Sequence, residues 1–186
     1  RIGEVKSVTA IIGFVAAPDF SHRLLDLELG GGALLDVGIY ALEYILMAYQ
    51  GERPKKIAAV GRLFHNGADA NTSASLEFST GTAQFTCALD TNLPCSAAIY
   101  GSTGSIEIVG AFMTPGKAVL HAQSGDETVE IDPGENGFVH ELVAFMRGVR
   151  SGKLELDELP VWESVLAAEI NDEIKRQIGL VYPQDK

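Results

Sequence analysis

Basic residues are scarce in this chain: 14 lysines and arginines stand against 25 aspartates and glutamates in 186 residues, a net charge of −11. Such a surface repels phosphate backbones and anionic headgroups, which argues against nucleic acid or an acidic membrane as partner. Cysteine is nearly absent. Cys87 and Cys95 each lie in a strand-like run and read as free core thiols in a reducing cytoplasm, not as a disulfide framework. The four histidines, His22, His65, His121 and His140, show no ligand spacing, so no metal site is expected, and His65 and His121 are expected to face solvent on strands or turns. No apolar run is expected to approach the ~20 residues of a membrane span. The opening Arg1-Ile2-Gly3-Glu4-Val5-Lys6 has neither an initiator Met nor a signal peptide, and reads as the start of a piece cut from a longer protein. Also missing is any strand-GxGxxG-helix unit.

A chain of this length suits one domain, residues 1–186, burying around 70% of its unfolded surface. Residues 4–16 are rich in β-branched side chains and predict a long strand ending before Pro18. A loop, 19–29, then delivers the chain to Gly30-Gly31-Gly32. Strands are expected over 54–64, 71–79 and 82–90, the last two joined through Thr80-Gly81 as a hairpin. Their alternation puts Thr72, Ala74, Leu76 and Ala83, Phe85, Cys87 on one face, with Ser73, Ser75, Gln84 and Thr86 on the other. Asn92-Leu93-Pro94 reads as a turn into a strand over 95–100, and Gly101-Ser102-Thr103-Gly104 as a hairpin, since no Lys-Ser/Thr ending marks it as a phosphate loop. Short strands follow near 118–122 and 127–131. Phe138, Leu142, Phe145 and Val149 give one apolar stripe to a helix from about Asn136 to Gly152. Trp162, Leu166, Ile170, Ile174 and Ile178 give another to a helix with Pro160 at its first turn and Gly179 past its end. Strand, helix, many strands and two helices make an α+β domain: an open, mainly antiparallel sheet with helices on one face.

The stretch that carries chemistry is Gly30-Gly31-Gly32-Ala33-Leu34-Leu35-Asp36-Val37-Gly38-Ile39-Tyr40 with its continuation to Tyr49, read as one buried helix over 31–49. On it, Asp36, Tyr40 and Glu43 fall within roughly 40° of one another. A carboxylate and a phenol one turn apart form a proton-handling pair, although a buried Tyr also commonly just bonds a carboxylate.

This motif resembles the GGGxLxDxGxY signature of the second domain of the Gfo/Idh/MocA oxidoreductases, in the Tyr-bearing form of dihydrodiol dehydrogenases and glucose-fructose oxidoreductase. The opening Ile2-Gly3-Glu4-Val5, the turn at 101–106 and the chain end at 177–183 are also similar to that family. The resemblance implies that Asp36 and Tyr40 reach a substrate hydroxyl as catalytic residues. His22, Arg23 and Gly32 are the expected substrate contacts. It further implies NAD or NADP as cofactor, held by an N-terminal dinucleotide-binding domain that is missing here together with its Glu-Lys-Pro lysine. The chain is then the substrate-binding and oligomerisation half of an oxidoreductase acting on a CH–OH group of a sugar, polyol or dihydrodiol, inert by itself. The alternative is a non-catalytic sugar-sensing or dimerisation module. A small-molecule substrate and a homodimer paired through the weakly charged sheet face are the expected partners, in the cytoplasm.

Overall fold

A computed structural model describes residues 1–130, 132 and 137–185. Eight strands form one sheet: β1 (Val5–Val15), β2 (Lys56–Leu63), β3 (Asp69–Glu77), β4 (Thr82–Ala88), β5 (Asp90–Gly101), β6 (Gly104–Val109), β7 (Lys117–Ala122) and β8 (Gly125–Glu130). Their spatial order is β2-β3-β4-β1-β5-β6-β7-β8. Every neighbouring pair is antiparallel except β1 with β4. The expected hairpins at 80–81 and 102–103 are both present: the Phe78 amide bonds the Gly81 carbonyl, and Tyr100 pairs with Ser105.

The period-two pattern sets the core. Val8, Ala10 and Ile12 of β1, Thr72, Ala74 and Leu76 of β3, and Ala83, Phe85 and Cys87 of β4 all turn to one face and are buried. Two helices cover that face: α1 (Ile39–Ala48), packed on β1 and β4, and α3 (Val161–Ile178), packed on β2. Leu42, Ile45 and Leu46 of α1 meet Leu166, Ile170 and Ile174 of α3 in a single core cluster. Each side chain of this kind contributes about 1.5–3 kcal/mol on burial. Among the described residues no helix is laid across the far wing, β6 to β8, and every residue of β8 is exposed.

Four expectations change. The Asn92-Leu93-Pro94 turn is absent, because β5 runs through it. Pro94 lies where the register with β1 shifts between Gly13↔Leu93 and Ile11↔Ser96, a place where a missing N–H breaks no ladder bond. The helix expected over 31–49 is divided: a π-turn at Leu34–Gly38 leads into α1. Leu27–Ala48 does reach membrane-spanning length and composition, contrary to expectation, and just over half of its most apolar 18-residue stretch is buried within the fold. Finally, α2 (Phe138–Arg150) holds its apolar stripe outward: Phe138, Leu142, Phe145 and Val149 are 58–66% exposed, since α2 is not laid against the covered face. The expected strand end at Ile131 and helix start near Asn136 lie outside the described residues.

Candidate active site

The site is built at the end of the sheet where β1 ends and β3 begins. Beyond β1 the chain makes a tethered loop. Phe20 packs edge-on to Phe64 and His65 across the β2–β3 turn, with ring centroids 5.5 and 4.2 Å apart. The Asn66 side-chain amide donates to the Leu25 carbonyl at 2.6 Å, and the Gln184 amide to the Glu28 carbonyl at 3.0 Å. Asp26 caps a 3₁₀ turn, Leu27–Leu29, and the glycines follow. The amides of Gly31 and Gly32 bond back to Asp26 and Leu24 carbonyls at 2.8 and 2.9 Å, while the Tyr182 hydroxyl donates to the Gly31 carbonyl at 3.2 Å.

The motif has no spare room at its start. A Cβ on Gly31 would lie 2.7 Å from the Asp26 amide nitrogen. Gly32 has φ +133°, and its Cβ would lie 2.2 Å from Oδ1 of Asp69. Asp69, the first residue of β3, is wholly buried. Its Oδ2 accepts from the Leu34 amide at 2.9 Å and from the Thr72 hydroxyl at 2.8 Å, and its Oδ1 has no partner among the described residues. Burial pushes this carboxyl above the usual carboxylate range, with the hydrogen bonds from Thr72 and the backbone opposing it.

The π-turn widens the helix just where Asp36 sits. Leu34, Val37 and Gly38 turn inward, and Gly38 packs against Cys87, leaving Asp36 half-buried and Tyr40 on the outer side. Such single π-turns recur at functional sites because they re-aim side chains. Arg23, from the tethered loop, donates to Oδ1 of Asp36 at 2.6 Å. The arginine is 67% exposed and the carboxylate 19%, so the pair contributes little stability but fixes the carboxylate's direction. No second hydrogen bond to the Asp36 carboxylate exists among the described residues, and the Tyr40 hydroxyl, on a residue 48% exposed, likewise makes none there.

The structure thus brings Arg23 to Asp36, one helical turn from Tyr40. Next to Arg23 in the loop, the His22 Nδ1 accepts from the Leu24 amide at 3.4 Å, closing its own turn, and no hydrogen bond joins His22 to Asp36 or Tyr40 among the described residues. Gly32 is buried with its amide already bonded. Glu43 lies near the start of α3: its carboxyl is half-buried and pushed up, first by burial and then by Glu163. Sequence reasoning missed Asp69 and Tyr182. The signal for the first was a charged residue between Ala68 and Ala70 at the start of a core strand.

Among the described residues, no group of three or more His, Cys, Asp or Glu could hold a metal ion. Cys87 is buried and its thiol is pushed strongly upward by burial, while Cys95 is partly covered.

An α+β domain of this topology, opening its site on a glycine-led helix with an outward Asp and Tyr, is matched over residues 1–107 by the family model for the GFO/IDH/MocA C-terminal domain. The chain belongs to that family. It is 34% identical over 192 residues to trans-1,2-dihydrobenzene-1,2-diol dehydrogenase of Danio rerio, covering 99% of this chain and 57% of the relative. The corresponding enzyme of Sus scrofa is 32% identical over 193 residues, covering 100% and 57%. Among solved structures, an aldose-aldose oxidoreductase from Caulobacter crescentus complexed with glycerol superposes with a TM-score of 0.77 at 25% identity, covering 95% of this chain and 54% of that one. KijD10, a 3-ketoreductase from Actinomadura kijaniata in complex with NADP and TDP-benzene, gives 0.77 at 25% identity, covering 95% and 55%. The chain spans little more than half the length of these relatives.

Proposed function

We propose that this chain is the substrate-side domain of an NAD(P)-dependent oxidoreductase acting on a CH–OH group of a sugar, polyol or dihydrodiol, in the cytoplasm. The observation that carries the reading is Asp36, held by Arg23 of the preceding loop, one turn from the outward Tyr40 on the same helix. The dehydrogenase and ketoreductase relatives support it.

The chain's own residues would work as follows. Arg23 occupies one oxygen of Asp36 and leaves the other to accept a hydrogen bond from the substrate hydroxyl. Tyr40 would exchange a proton with that hydroxyl as general acid or base, a role worth about 10²–10⁴ in rate. Nicotinamide, when bound by the protein, supplies or accepts the hydride. Its dinucleotide diphosphate does not fit the glycine-led helix of this chain. The Asp69 carboxylate already takes the amide of Leu34 at the start of the helix, where an anion would otherwise sit.

The test is Tyr40→Phe in the full-length polypeptide, with initial rates in NAD⁺ or NADP⁺ and trans-1,2-dihydrobenzene-1,2-diol or an aldose. kcat should fall by ~10²-fold or more with the fold intact. A near-normal kcat on the best substrate returns Tyr40 to a surface residue.

A further inference from the structure

A helix usually receives its N-cap from the residue just before it, through a Ser, Thr, Asp or Asn side chain. Here Gly30-Gly31-Gly32-Ala33 has no side chain able to do so, and Ala33 makes no capping bond. The acceptor comes instead from the start of β3, 35 residues on in sequence, where Oδ2 of Asp69 takes the Leu34 amide. Three residues cooperate in this. Thr72, on the same strand and also wholly buried, donates to the same oxygen. Gly32 vacates the space in which the other carboxylate oxygen lies. No basic side chain bonds the Asp69 carboxylate among the described residues, so the sequence keeps a buried acid where an apolar residue would avoid its desolvation cost.

We propose that Asp69 is the positioning residue of this site. It is a cap supplied from β3 that fixes the first turn of the helix and therefore the directions of Asp36 and Tyr40. The inference rests on the reading of that pair as the substrate-facing groups. Asp36 is two residues past the capped amide, inside the π-turn, so any unwinding at Leu34 reaches it directly. From Asp36 it also reaches the Arg23 contact.

Two variants of similar size separate a cap from mere bulk. Asp69→Asn keeps a carbonyl oxygen for both the Leu34 amide and the Thr72 hydroxyl, and Asp69→Leu keeps neither. Two readouts are taken: amide hydrogen exchange of residues 33–38, and kcat with KM in the full-length polypeptide. In Asp69→Leu, exchange at Leu34 to Asp36 should rise by about 5–10-fold, as the loss of one net hydrogen bond implies. The amides of β1 and β4 should stay protected. kcat should fall at least as far as exchange rises, with KM within about 3-fold. Asp69→Asn should restore both to wild-type values. Unchanged exchange at Leu34 in folded Asp69→Leu overturns the cap. Faster exchange with an unaltered kcat overturns the positioning role. If Asp69→Leu does not fold, Thr72→Val, which frees Oδ2 from its second partner, should move both readouts the same way, and no movement in either counts against the proposal. A wild-type protein that oxidises none of the alcohols refutes the function reading alone, and the exchange arm still decides the cap.

Discussion

Replacing Gly32 by alanine probes the tightest point of the motif. The backbone there has φ +133°, a conformation costing an L-residue about 1–3 kcal/mol. The new Cβ would lie 2.2 Å from Oδ1 of Asp69 and 3.1 Å from its amide nitrogen. Ordinary contact begins near 3.4 Å, so the carboxylate must retreat by more than 1 Å. It cannot do so without breaking its bonds to Leu34 and Thr72, a loss of about 1 kcal/mol each. The sum is about 3–5 kcal/mol, a large share of the roughly 5–15 kcal/mol that holds a domain together. With a slope of about 2–3 kcal/mol per molar urea, the midpoint of unfolding should fall by about 1–2.5 M. Gly30→Ala is the control. Its φ is +77°, yet no atom lies within 4 Å of the added carbon, so it should lose only about 1–2 kcal/mol. Equal losses for the two variants, or a Gly32→Ala midpoint within about 0.3 M of wild type, would refute the steric argument.

Three further outcomes are expected. Calorimetric titration of the 186-residue chain with NADH and NADPH should show no micromolar binding, since Asp69 fills the glycine-led helix start; micromolar heats for either would sink that account. The chain should self-associate through the open sheet face, where Thr9, Ser73, Ser75, Gln84 and Thr86 line a shallow trough poor in charge. Sedimentation at micromolar concentration should show a dimer that Thr86→Lys dissociates, and a monomer in both cases removes the idea. Glu173, hydrogen-bonded first by Arg176 and then by Gln177, has its carboxyl lowered to about 2. Its folded value lies below its unfolded one, so its contribution to stability is present above the usual glutamate range and is lost as pH falls toward 2. In Arg176→Ala, an NMR titration should find the Glu173 midpoint moved back toward that range, and an unmoved midpoint contradicts the assignment.

Much of this arrangement was legible in the chain because it rests on local pattern. The alternation through β3 and β4 fixed which residues meet the helices, and Gly179 closes α3 with φ +73° as its position suggested. Asp36 and Tyr40 were legible through the motif. What was hidden depends on distant pairing. The Asp69 cap joins residues that only the sheet brings together, and a π-turn leaves no trace in a helical hydrophobic period. Pro94 looked like a strand breaker because a single sequence does not show a register shift in the neighbouring strand. The apolar stripe of α2 was read correctly as a stripe, but periodicity says nothing of whether a surface awaits it.

The pairing of β1 has a consequence in time. Two runs of hairpins, β2-β3-β4 and β5-β6-β7-β8, join strands that follow one another closely and can zip as soon as they exist. β1 belongs to neither. It lies between them, its Ser7 opposite both Thr82 and Tyr100, and it precedes both partner strands in sequence. Ribosomal synthesis therefore produces the central strand before either of its borders, and β1 must wait with two unsatisfied edges until β4 and β5 have emerged. Closing the seam along β1 joins the strands most widely separated in sequence of any pairing in the sheet, and loop closure of that length slows folding relative to zipping the hairpins. The site loop continues directly from the C-terminal end of β1, so the register in which the seam closes sets where that loop meets its tethers on the β2–β3 turn and the C-terminal tail.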